Sequence, residues 1–245
     1  MSGHSRWANI KHKKAKGDAA KAGVFTKIGR ELAVAVKQGG PDPNSNNKLK
    51  DVIAKAKENN IPNDNIMRSI KKASGDAGDV NYEELTYEGY GPFGVAFYVE
   101  CLTDNKNRTA GDIRHIFDKS GGALGTTGSV GFMFKRRGVV VVDASKADED
   151  ELMLSALDLG AEDFAADDDV FLIYTAPQDL SAVREGLEKN NVPIISSEID
   201  MIPENTVPLD GESAERLQKM IDRLDENDDV QNVFHNADMP EYDEE

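Results

Sequence analysis

Apolar side chains recur at helical spacing three times before residue 75 and then switch to strand-like alternation, so the pattern itself divides the chain. Phe25, Ile28, Leu32 and Ala35/Val36 share one face of a helix that starts near Asp18, a suitable N-cap, and stops at Gly39-Gly40-Pro41. Leu49, Val52, Ile53 and Ala56 form the stripe of a second helix, capped from Asn44-Ser45-Asn46-Asn47 and ending around Asn59-Asn60. Ile66, Ile70 and Ala73 mark a third, with Pro62 in its first turn and Gly75 after its last. The lysines fall mostly off these stripes and are expected on the outside.

Beyond the Gly/Asp-rich stretch from Gly75 to Val80 the pattern predicts strands over Tyr82–Glu88 and Gly94–Thr103, where Val95, Phe97 and Val99 alternate. Asp104–Thr109 is a polar loop into a helix carrying Ile113, Ile116 and Phe117, which Gly121-Gly122 stops; Ser129–Phe134 reads as a further strand. From Gly138 the order is strand (139–142), helix (148–159), strand (161–167), strand (170–175), helix (180–190) and strand (194–201), the βαββαβ order of a ferredoxin-like unit. Residues 212–235 add a helix (Leu217, Met220, Ile221, Leu224) and a strand (Val230–Phe234). Neither 80–135 nor 212–235 covers a sheet face alone, so the two are expected to combine around the intervening segment.

The expected fold class is therefore α+β: an N-terminal helical domain, a middle α/β domain completed by the C-terminal segment, and an inserted ferredoxin-like βαββαβ domain. The expected boundaries are 1–79 for the basic arm plus three-helix domain, 80–135 with 204–238 for the middle domain, 136–203 for the insertion and 239–245 for an acidic tail. Lys135-Arg136-Arg137-Gly138 and Pro203–Pro208 would be the paired connections.

Charge changes the picture. The chain of 245 residues carries 29 Lys and Arg against 45 Asp and Glu, a net −16 that ordinarily argues against a nucleic-acid partner. Residues 1–75 alone carry 16 basic and 6 acidic side chains, or +10, which leaves −26 for residues 76–245. Because charges more than about 8–10 Å apart are largely screened at physiological salt, a polyanion approaching the first 75 residues meets mainly their positive field. A solvated Lys-rich helical surface is the alternative reading.

The basic stretch opens as an arm without apolar periodicity, expected to be mobile alone and to order on a partner. Candidate nucleic-acid contacts there are His4, Arg6, Trp7, Asn9, Lys11, His12, Lys13, Lys14 and Lys16, followed on the first helix by Lys27 and Arg30. Lysines attract phosphate without preference, whereas Trp7, Arg6 and the histidines add flat faces on which unpaired bases stack, which suits RNA or single strands better than a DNA groove. The alternative reading of Trp7 is a hydrophobic plug that docks the arm onto its own domain. A second candidate is the helix start at Lys106, Asn107 and Arg108, where free backbone N–H groups and two cations favour anions; helix capping explains it as well. The nearby loop Gly121–Gly128 allows close backbone approach.

Other chemistry finds little footing. Gly89-Tyr90-Gly91-Pro92-Phe93-Gly94 matches a dinucleotide fingerprint, but a strand follows instead of a helix and Pro92 lacks an N–H, so a glycine-rich hairpin turn is the better reading. His4, His12, His115 and His235 belong to no metal or nucleophile motif, and the acid clusters at 167–169 and 225–229 read as turns. Cys101 is the single cysteine, which fits a reducing compartment and excludes an internal disulfide. No apolar run approaches a membrane span and no secretory signal precedes the arm, so a cytoplasmic protein without membrane contact is expected. Neither an enzyme nor a cofactor or metal site is expected.

The opening GHSRWANIKHKK, then FTKIGREL, YEGYGPFGVAFYVECLTDNKNRT, GGALGTTGSV and DDVQNVFHNAD resemble the YebC/PmpR family from Ser2 to about Asp238. The resemblance implies that family's three-domain arrangement and a regulator of gene expression. Two descriptions come with it: a cytoplasmic DNA-binding transcriptional regulator, and a ribosome-binding factor that helps elongation past proline-containing stretches, as in the mitochondrial relatives that activate translation. The chain begins directly with the family's arm, so no organelle presequence is expected. The partner expected is nucleic acid, either rRNA on the ribosome or promoter DNA, with the acidic domains facing basic ribosomal proteins or solvent in the first case. Stacking groups in the arm, and a helical region with no recognisable reading helix, tilt the expectation toward RNA. The oligomeric state stays open.

Overall fold

The computed structural model describes residues 18–75, 81–167 and 169–240. The fold is mixed α+β, with helices first and then two four-stranded antiparallel sheets and one short parallel pair of strands.

Helices α1 (Asp18–Gly39), α2 (Asn47–Glu58) and α3 (Asn63–Ser74) pack on Ile28, Leu32, Ala35, Val36, Leu49, Val52, Ala56, Ile66 and Ile70, the residues their periodicity selects. One buried side chain joins two helix ends. Asn46 accepts the Leu49 N–H at 3.0 Å as the N-cap of α2, and its amide donates at 2.8 Å to the carbonyls of Ala35 and Gly40 at the end of α1.

Strands β1 (Glu83–Tyr90) and β2 (Ala96–Thr103) form an antiparallel hairpin, followed by α4 (Lys106–Lys119) and the two-residue β3 (Ala123–Leu124). Next come β4 (Phe134–Asp143), α5 (Glu149–Asp158), β5 (Asp163–Asp167), β6 (Val170–Thr175), α6 (Leu180–Lys189) and β7 (Ile194–Pro203). The chain ends with β8 (Val207–Pro208), α7 (Gly211–Asp225), β9 (Val230–His235) and β10 (Ala237–Asp238).

Among the described residues two compact units result, one of residues 133–206 and the other of residues 18–132 with 207–240. In the first, the fully antiparallel sheet order β5-β6-β4-β7 is that of a ferredoxin-like unit. Val140 and Val142 point to the α5/α6 side while Val139 and Val141 point to the other face, the alternation a strand imposes. Asp148 caps α5 through the Glu151 N–H, with three acids in its positive first turn.

In the other unit the sheet order β3-β1-β2-β9 brings β9 from the C-terminal segment against β2, and α4 and α7 pack on it through Phe97, Phe117, Leu217, Met220 and Leu224. Phe97 and Phe117 meet edge to face at 5.8 Å.

The segment 129–138 departs from the sequence pattern. In place of a strand over 129–134, residues Gly131–Met133 form a 3-10 turn, because the N–H groups of Gly128, Val130 and Gly131 all donate to the buried Glu88 carboxylate at 2.7–2.8 Å and are unavailable to a ladder. Residues 135–138, expected as a connection, belong to β4, where they pair with Ile199–Ile202 of β7. No helix among the described residues is long and apolar enough to cross a membrane.

Candidate nucleic-acid interface

The helical segment places Lys37, Lys50, Lys57, Arg68, Lys71 and Lys72 on its exposed surface. On α3 the positions of Arg68, Lys71 and Lys72, three and four apart, form one outward strip beside Met67, which is 63% exposed. Pro41, Asp64, Met67, Arg68, Lys71 and Ser74 line an open concave patch there. Lys37, Lys55, Lys57, Lys71 and Lys72 also lie in last helical turns, where cations complement the helix dipole, so the positions have a structural use besides any ligand.

The cations of the inner side are engaged within the molecule. Asp229, almost wholly buried, accepts from Arg30 at 2.6 Å, from Arg108 Nη2 at 2.8 Å, and from the hydroxyls of Thr109 at 2.8 Å and Thr103 at 3.1 Å. Arg30 also donates to the Leu102 carbonyl at 3.0 Å and lies over the Tyr82 ring at 5.5 Å. Lys27 donates to the Asp225 carbonyl at 2.6 Å. Burial alone would raise the Asp229 carboxyl, but the hydrogen bonds from Arg108, Arg30, Thr109 and Thr103 outweigh it and hold the group down at about 2. This cluster ties α1 to the β2–α4 corner and the start of β9.

At the start of α4, Asn105 caps through the Arg108 N–H, Arg108 also pairs with Asp104 at 2.8 Å, and Lys106 pairs with Glu83. Asn107 is exposed. Of the residues singled out by sequence, Arg30 and Arg108 are thus brought to the Asp229 carboxylate, Lys27 to the Asp225 backbone carbonyl, Lys106 to a separate exposed pair, and His4, Arg6, Trp7, Asn9, Lys11, His12, Lys13, Lys14 and Lys16 lie outside the described residues.

Sequence reasoning passed over Asp229, taken with its neighbours as a turn acid. Its partners are 120 or more residues away in sequence, and only its place beside the apolar start of β9 sets it apart from the exposed acids before it. It also passed over Glu88, whose carboxylate shapes the loop at 128–131. Among the described residues no group of His, Cys, Asp and Glu could hold a metal ion. The Cys101 thiol is pushed up to about 12, chiefly by burial and then by Asp229, which removes it as a nucleophile at neutral pH.

Residues 5–76 match the TACO1/YebC protein N-terminal domain, and residues 82–237 match the TACO1/YebC second and third domain. The chain belongs to the TACO1/YebC family. A relative in Acetivibrio thermocellus, named as a probable transcriptional regulatory protein, is 61% identical over 238 residues, covering 96% of this chain and 98% of the relative. Another of that description, from Thermoanaerobacter pseudethanolicus, is 54% identical over the full length of both. The crystal structure of a conserved hypothetical protein from Aquifex aeolicus superposes with a TM-score of 0.86 at 45% identity, covering 98% of this chain and 100% of that one.

Proposed function

We propose that this member of the TACO1/YebC family is a cytoplasmic, non-enzymatic, nucleic-acid-binding regulator of gene expression whose basic N-terminal end grips phosphate. The observation that carries the reading is the segregation of charge, +10 over residues 1–75 against −26 over the rest. The α3 strip of Arg68, Lys71 and Lys72 supports it with cations held outward on a packed helix, and the regulatory description of its relatives agrees with it. The binding groups are the arm residues from His4 to Lys16 together with that strip, while Arg30 and Arg108 keep the helices seated on the sheet.

Within this class the finer reading is RNA on the ribosome, as a factor that helps elongation at proline-containing stretches. The mixture of Trp7, Arg6, His4 and His12 with lysines favours unpaired bases over a duplex groove. Promoter DNA is the second reading, favoured by the name its curated relatives carry. Co-sedimentation with ribosomes at physiological salt, abolished by Arg6→Ala with Trp7→Ala, supports the first. A sequence-specific footprint on duplex DNA that survives competitor RNA supports the second. Recovery of neither nucleic acid in a crosslinked pull-down from cells would end both.

A further inference from the structure

The turn joining β1 to β2 holds a bulky residue where glycine is the natural choice. Phe93 sits at φ 63° and ψ 14°, the left-handed region in which an L side chain crowds its own backbone. Gly94 beside it also has a positive φ, of 74°. The turn is closed by the Gly91 N–H donating to Val95 at 2.8 Å and is backed by Gly122, where a Cβ atom would lie 2.5 Å from the Tyr90 carbonyl oxygen. The turn is thereby fixed, and its fixed shape carries the Phe93 ring outward.

Core packing does not account for that ring, which remains 40% exposed, and Tyr90 three residues earlier is 42% exposed. The Arg216 guanidinium of α7 lies over the Phe93 ring, 5.3 Å from its centroid. A strained, exposed aromatic with a flat cation over it is the arrangement on which an unpaired base stacks. Glu212, Glu215 and Lys219 are exposed on the same helix as Arg216, so the exposed charges there balance and the spot offers no surplus of cations for phosphate.

We infer that Phe93, with Arg216, forms a stacking platform for an unpaired nucleobase, a second contact separate from the basic arm. The inference rests on the nucleic-acid-binding reading and adds to it a site that reads bases without neutralising phosphate.

The test uses the full chain and a single-stranded RNA oligonucleotide containing 2-aminopurine, whose fluorescence is quenched on stacking. Binding quenches the wild-type signal. Phe93→Leu weakens affinity about tenfold and reduces the quench to what the stacking groups of the arm supply, with the slope of log K against log salt unchanged. Phe93→Gly relieves the backbone, so it loses affinity equally while melting no lower than the wild type. If both variants bind and quench like the wild type, or if Phe93→Gly loses affinity only in step with a fall in melting temperature, the platform is refuted while salt-dependent binding through the arm stands. If the wild type binds no oligonucleotide even at low salt, the nucleic-acid reading falls and the platform with it.

Discussion

The inner seam of α1 and the outer face of α3 carry the same residue types and use them in opposite ways. At the seam, Arg30 turns inward to buried Asp229 and is only 15% exposed in its side chain, and Lys27 is held on a backbone carbonyl. On α3, Arg68, Lys71 and Lys72 face solvent beside an exposed methionine. The difference lies in whether a buried acceptor stands opposite, and that acceptor comes from the far end of the chain. A count of lysines and arginines along a helix therefore measures field strength without saying which cations remain available to a ligand.

The largest expected effect strikes the seam. Asp229→Ala leaves Arg30 facing a dry site without its counter-charge, and a loss of about 3–5 kcal/mol is expected in denaturant unfolding. A loss under about 1 kcal/mol would show the seam to be no different from the surface. The same carboxyl sets an acid limit. Its folded value of about 2 lies below the ordinary 3.8, so its contribution is complete above the ordinary value and disappears as the pH falls through about 2. Asp229→Asn should flatten the unfolding free energy across that window, and an unchanged acid limb would refute the role.

The outer face should respond in the converse way. Replacing Arg68, Lys71 and Lys72 together by alanine should change stability by no more than about 0.5 kcal/mol per site. It should also lower the salt slope of RNA binding by about 0.7 for each phosphate that is no longer neutralised. The smallest effect is expected at Lys106, whose pair with Glu83 is exposed on both sides, with side-chain exposures of 57% and 46%. Lys106→Ala should cost about 0–1 kcal/mol in the same unfolding measurement, and a larger cost would place it with the seam.

Most of the fold could be read from spacing. The α1–α3 stripes and the βαββαβ order come from residues that alternate or recur over many positions, where periodicity has room to act. Short pieces escaped for the reverse reason: β3, β8 and β10 are two residues each, too short to show a period. The turn at Gly131–Met133 escaped because a side chain 40 or more residues earlier, Glu88, takes the hydrogen bonds a strand would need. The electrostatic character of the N-terminal end was legible as composition, whereas the division of Arg30 and Arg108 from Arg68 and Lys71 depends on Asp229 and has no local sign.

The most direct measurement is the affinity of the full chain for single-stranded RNA as a function of salt, compared with a variant in which Lys11, Lys13, Lys14 and Lys16 are alanine. Log K should fall linearly with log salt for the wild type, and the slope for the variant should be shallower by about 0.7 per phosphate left without its lysine. A flat line for the wild type, or an identical slope for the two, would contradict the claim that this end of the molecule grips phosphate.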